Sequence, residues 1–164
     1  MRIALIHAVR VAMQPVEDAF RRHWPEAERI NLLDDSLSVD RARDAELSAA
    51  LSRRIGALAY AIECGATGIL YTCSAFGDAI QAVKDRLDVP VLKPNEAMSE
   101  EALRHGKRLG MLATFAASIP SMQAGDGGRH DALLAAAVTR PVLTSPDSAV
   151  LAMRKRLTRG CTLG

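Results

Sequence analysis

The sequence predicts an α/β fold built on parallel sheets, and three observations support this. Strand and helix patterns alternate through residues 1–95. The strand runs are short and almost wholly apolar, as strands buried on both faces are. The second half of the chain also reads as a shortened copy of the first. The 164 residues suffice for one ordinary domain or two small lobes sharing a core. Hydrophobic residues make up 49% of the chain, so general disorder is excluded even though only 4% are aromatic.

The elements follow in order. Residues 3–9 form the opening strand. Pro15 fits the first turn of a helix that carries Val16, Ala19, Phe20 and Trp24 on one side. Residues 29–33 (RINLL) form a second strand, and Asp34-Asp35-Ser36 a polar loop. One long helix is expected over residues 40–64, with Leu47, Leu51, Ile55, Leu58 and Ile62 as a single apolar stripe. Gly65 stops it, and Cys64 before that glycine reads as core packing. Residues 67–72 (TGILYT) are the third strand and run without a spacer into Cys73. A helix with Phe76, Ile80, Val83 and Leu87 on one face comes next, then a fourth strand at 89–92. This alternation is the pattern of a parallel sheet covered by helices.

The repeat is visible within the chain. Residues 2–6 (RIALI) resemble residues 108–112 (RLGML), an offset of 106. Residues 90–95 (PVLKPN) resemble 141–147 (PVLTSPD), each opening a helix. The two landmarks lie 88 residues apart in the first copy and 33 in the second, a deficit of about 55 residues. The chain is therefore expected to form a first lobe at 1–95 and an incomplete second lobe at 96–164. Seams are expected near 122–124 and 138–141.

Composition narrows the function. With 21 Lys+Arg against 19 Asp+Glu, the net charge of +2 gives no reason to expect a nucleic-acid surface. No apolar run approaches the length of a membrane span. The N-terminus lacks a signal-type cleavage site. Three cysteines without CxxC spacing argue against a disulfide framework or a zinc site. A cytoplasmic protein with reduced thiols and no metal is expected, with a homo-oligomer left open.

In an open parallel sheet, ligands bind beyond the carboxyl ends of the strands. Cys73 stands there, and the N–H groups of Ser74, Ala75 and Phe76 in the next helical turn would point at the same spot. A thiolate so placed should have a lowered pKa. A substrate carboxylate could use the same N–H groups with the Thr72 and Ser74 hydroxyls. A cysteine base beside such a cradle suits proton removal from the carbon α to a carboxyl group. Position alone leaves equally open that Cys73 is a small buried apolar residue. His7 ends the first strand and could face the cleft, or be a hydrogen-bonded structural histidine.

The stretches GILYTCSAFGDAI (68–80), PVLKPNEAM (90–98) and RLGMLATFAASIPSM (108–122) resemble the aspartate/glutamate/hydantoin racemase superfamily. HDALLAAA (130–137) and PVLTSPDSAV (141–150) follow in the same order as in that pattern. The resemblance implies two pseudo-symmetric, flavodoxin-like α/β lobes with the active site between them. It implies cofactor-independent racemisation of carboxyl-bearing stereocentres by one cysteine from each lobe. It also implies kinship with arylmalonate decarboxylases, which use a single cysteine. Cys73 matches the first-lobe cysteine, Thr72 and Ser74 its carboxylate-binding neighbours, and Thr114 and Ser118 the second-lobe loop that lines the cleft. The offset of 106 from Cys73 points to position 179, beyond these 164 residues, so no residue of this sequence is assigned to the opposite face.

Other candidates carry less. The sequence RGCT at 159–162 superficially matches a second-lobe motif, but reads as tail. The pair His130-Asp131 would point in different directions on a helix. Gly125-Asp126-Gly127-Gly128 is a turn without a phosphate-loop pattern. Asp34, Asp35 and Asp40 lack the spacing of a calcium loop. Arg154-Lys155-Arg156 reads as a solvated helix face. The expected function is a racemase or isomerase acting on a small carboxylate through Cys73. The alternatives are a single-cysteine decarboxylase of malonate-type acids and a non-catalytic carboxylate-binding protein.

Overall fold

The computed structural model describes residues 1–44, 46–105, 119 and 145–159. Four strands, β1 (Arg2–His7), β2 (Glu28–Leu33), β3 (Gly68–Tyr71) and β4 (Val91–Leu92), form one sheet in the order β2-β1-β3-β4. All pairings are parallel, with Ile3 opposite Arg29 and Gly68, and Leu70 opposite Leu92. The expected strands at 3–9 and 89–92 are thus shorter, ending at His7 and beginning at Val91. Six helices are described: α1 (Met13–His23), α2 (Ser36–Arg43), α3 (Ala49–Ala57), α4 (Gly77–Arg86), α5 (Glu96–His105) and α6 (Ser145–Arg159).

The period of two in β1 sends its side chains into two separate cores. Ala4 and Ile6 join Leu37, Leu51, Ile55, Phe76, Ile80 and Val83 under α2, α3 and α4. Ile3 and Leu5 join Val16, Phe20, Trp24, Leu70, Val150 and Met153 under α1 and α6. Each large aliphatic side chain fully buried this way stabilises the fold by about 1.5–3 kcal/mol. Both faces of the sheet are covered, which is why its strands read as continuous apolar runs.

The long helix expected over 40–64 is broken. Asp44 is extended (φ −95°, ψ 131°), and Ser48 restarts the chain as N-cap of α3, its side chain accepting the Leu51 N–H at 3.3 Å. A 3-10 segment, Leu58–Ile62, completes the run. The apolar stripe nevertheless holds, because Leu47, Leu51, Ile55, Leu58 and Ile62 all pack on the same core. Periodicity records the buried face and is blind to a cap inside it. Arg54 ties the pieces together, at 2.6 Å from Asp40 and 3.2 Å from Asp34. Gly65 ends the run at φ 79°, a left-handed conformation suited to glycine. Cys64, expected in the core, is exposed, because the apolar stripe ends at Ile62 and the following turn leaves it outside.

Helix α6 has long-range partners in the first half of the chain. From the repeat it belongs to the second lobe, yet it packs beside α1 on the sheet of the first. Val150 and Met153 are fully buried against that sheet. Asp147 pairs with Arg22 at 2.7 Å and His23 at 2.9 Å, and Arg154 donates to the His23 carbonyl at 2.7 Å. Helix α6 and α1 thus share one packed layer on the sheet. Arg154, Lys155 and Arg156 are exposed, as expected of a solvated face. Among the described residues no helix is long and apolar enough to cross a membrane.

Candidate functional site

From β1 the chain steps outward to β2, then crosses back to β3 on the other side of β1. The order therefore reverses between β1 and β3, the point at which open parallel sheets form their ligand crevice beyond the carboxyl ends of the strands. His7 ends β1 on one side of that point. Thr72, Cys73 and Ser74 leave β3 on the other and remain half-buried. The two loops are stitched together by the Thr72 N–H donating to the Ile6 carbonyl at 3.0 Å.

Cys73 is extended (φ −121°, ψ 120°) and caps a 3-10 turn, Ser74–Phe76, that leads into α4. The expected approach of thiol and helical N–H groups is present at Ala75, whose N–H favours the thiolate. The expected lowering of the thiol pKa is not. Burial is the largest influence and pushes the Cys73 thiol up, with the Ala75 N–H and the charge of Arg41 opposing it. Sequence position predicts the dipole of the turn, but burial depends on what the fold packs around the sulfur. Cys64 cannot share this site, since it lies at the opposite end of β3, where its carbonyl accepts from Arg2 at 2.6 Å.

Arg41 was not singled out in the sequence. Its side chain is only 7% exposed. Its Nε donates to the Ala75 carbonyl at 3.3 Å and its Nη1 to the Asp44 carbonyl at 2.7 Å. Among the described residues no carboxylate pairs with it. A buried guanidinium held by backbone carbonyls keeps much of its charge for whatever anion approaches the Cys73 turn. The signal in the sequence is faint: an arginine four residues after Leu37, on the face of α2 that otherwise buries apolar side chains.

His7 does not face the crevice. It is 0% exposed, with Nδ1 at 2.9 Å from Thr72 Oγ1 and Nε2 at 2.8 Å from Asn31 Oδ1. Leu5 and His7 point to the α1 side of the sheet, and both ring nitrogens are engaged inside the protein. It can reach a ligand only through Thr72. Burial holds its pKa below the ordinary histidine value, against the Asn31 hydrogen bond and the Glu17 charge. Of the sequence-predicted site residues, the fold thus brings His7, Thr72, Cys73, Ser74 and Ala75 to one edge. Thr114 and Ser118 lie outside the described residues, as do His130, Asp131, residues 125–128 and Cys161. Among the described residues no group of three or more His, Cys, Asp or Glu could hold a metal ion. A groove between α3 and α4, lined by Ser52, Gly56, Ala79 and Val83, includes none of these groups.

Comparison with known proteins agrees with this architecture. Two glutamate racemase structures share the fold. That from Aquifex pyrophilus matches with a TM-score of 0.62 at 20% identity, over 80% of this chain and 54% of its own. That from Thermus thermophilus, in complex with beta-chloro-D-alanine, matches with a TM-score of 0.58 at 20% identity, over 80% of this chain and 49% of its own. The chain thus spans about half the length of these structures. No curated protein matches it. The family model for Asp/Glu/Hydantoin racemase matches residues 8–125, which include the crevice loops and Cys73. The chain belongs to the Asp/Glu/Hydantoin racemase family.

Proposed function

We propose that this protein is a cofactor-independent isomerase that moves a proton at the carbon α to a carboxylate, with Cys73 as the acid and base. The observation that carries this reading is the position of Cys73 at the β1–β3 switch point, half-buried and beside the Ala75 N–H. The Cys73 thiolate would take the α-proton. The electron pair left on carbon would pass into the substrate carboxylate. The Ala75 N–H, the Thr72 and Ser74 hydroxyls and the nearby Arg41 charge would hold the resulting enediolate, a stabilisation of several kcal/mol. Return of a proton to the opposite face inverts the centre. Return from Cys73 restores it.

Burial of the thiol suits this chemistry. A thiolate with a raised pKa is scarcer at neutral pH but a stronger base toward a carbon acid. Thr114 and Ser118 belong to the proposal as lining residues contributed by the second half of the chain. The partner would be a small carboxylate, with glutamate and aspartate as probes. The expected setting is cytoplasmic.

The test is solvent exchange. Purified protein incubated with each enantiomer of glutamate or aspartate in D2O should wash deuterium into the α position, and Cys73→Ala should abolish the wash-in. Deuterium in both enantiomers marks a racemase. Release of CO2 from a malonate-type acid with one-faced deuteration marks the single-cysteine decarboxylase instead. If Cys73→Ala leaves an observed activity intact, the thiol mechanism is refuted.

A further inference from the structure

The polar chain behind Thr72 has a definite hydrogen-bond sense. The Glu17 carboxylate, which takes the Arg29 Nε–H at 3.2 Å, can only accept. It takes the Asn31 Nδ2–H at 2.9 Å. That fixes the Asn31 amide, whose Oδ1 must therefore face the imidazole and accept from His7 Nε2 at 2.8 Å. A neutral His7 with its hydrogen on Nε2 has only a lone pair on Nδ1. The Thr72 hydroxyl, 2.9 Å from Nδ1, must then donate to it, since two lone pairs at that distance repel. The same hydroxyl has a second acceptor, the Ile6 carbonyl, at 3.2 Å.

We propose that His7 is a positioning residue that sets the donor sense of Thr72, so that a carboxylate docking on the Thr72 hydroxyl is accompanied by proton uptake at His7 Nδ1. This rests on Thr72 belonging to a carboxylate site, as in the reading above. With His7 neutral, the Thr72 hydrogen is committed inward and its oxygen presents lone pairs, which repel an anion. When a solvent proton binds Nδ1, that N–H donates to Thr72 Oγ1. The Thr72 hydrogen then turns outward to the ligand oxygen, or to Ile6 when the site is empty. One proton leaves solvent and none leaves the ligand. The groups facing His7 are Glu17 from α1, Asn31 from β2 with Arg29 behind it, and Thr72 after β3. Glu17 favours the protonated ring, while burial disfavours it. The ring is therefore neutral in the empty site and ready to charge when an anion arrives.

The experiment uses the full chain labelled with nitrogen-15 at histidine, with malonate as the carboxylate probe. In the empty protein at pH 7.5, the His7 ring should be the neutral form with hydrogen on Nε2 and a lone pair on Nδ1. The opposite tautomer overturns the inference. Saturating malonate should protect Cys73 from iodoacetamide and convert Nδ1 to a protonated nitrogen. Malonate affinity should then fall about tenfold per pH unit between the His7 midpoints of the empty and the malonate-bound protein, as one linked proton requires. Protection of Cys73 without a change at Nδ1 refutes the coupling alone. Absence of protection refutes the carboxylate site and the coupling with it. Thr72→Ser should keep the malonate response of the ring, and Thr72→Val should lose it while His7 remains Nε2-protonated.

Discussion

Removing the side chain at Met153 tests whether α6 belongs to the sheet that carries Cys73. Met153 is 0% exposed and packs among Ile3, Leu5, Phe20 and Leu70. Truncating a methionine so buried costs about 2–5 kcal/mol, the transfer of its atoms plus the cavity they leave. A Cβ placed on Gly68 of β3 would lie 2.9 Å from Met153 Sδ and 3.3 Å from Leu157 Cδ1, so Gly68→Ala forces that side chain to move. Overpacking of this kind costs about 1–3 kcal/mol. The alanine recovers roughly 0.5–1 kcal/mol of it through reduced freedom of the unfolded chain. The two effects share one space. Met153→Ala makes room for the Gly68→Ala methyl, and the methyl fills part of the cavity. Urea unfolding of the four proteins should give a double variant less destabilised than the sum by about 1 kcal/mol or more. Additive values, or a Met153→Ala penalty below about 0.5 kcal/mol, would refute the packing of α6 on β3. Such a result would return residues 145–159 to a separate lobe.

Three further outcomes are expected. The rate of Cys73 alkylation by iodoacetamide should reach half its maximum above the ordinary thiol value of about 8.5. Because the unfolded chain loses this proton first, stability should fall as pH rises from that value toward the raised one, and Cys73→Ala should remove this component of the slope. Arg41→Met should move the Cys73 alkylation midpoint still higher. It should also cost about 1–3 kcal/mol in urea unfolding, since the Ala75 and Asp44 carbonyls lose their donor. His7 resists protonation in the empty fold, so stability should decline as pH drops below about 6.5, where the unfolded histidine charges first. His7→Gln should flatten that decline, read from thermal unfolding between pH 7 and pH 5.

Much of this protein is determined locally. Apolar runs and stripes mark β1, α1, β3 and α4, because a strand buried on both faces and a helix buried on one leave periods that no other arrangement requires. Gly65 is legible for the same reason, since the chain there needs a positive φ. Cys73 is legible as a site because it follows an apolar strand and precedes a helical turn, and parallel sheets bind ligands at that junction.

The tertiary structure decided the rest. The break between α2 and α3 leaves the apolar stripe intact, and only the Ser48 cap and the extended Asp44 reveal it. Arg41 reaches Ala75 across 34 positions of sequence, and His7 reaches Thr72 across 65. No spacing rule anticipates such meetings, because they depend on strand order. The thiol pKa went opposite to the local expectation, since the dipole of a turn is local whereas burial is set by everything packed around the sulfur. Helix α6 shows the same division. Its amphipathic pattern states that one face must be buried, but a stripe of Val150 and Met153 does not name its partner. The long-range packing against α1 and β3 supplies that partner.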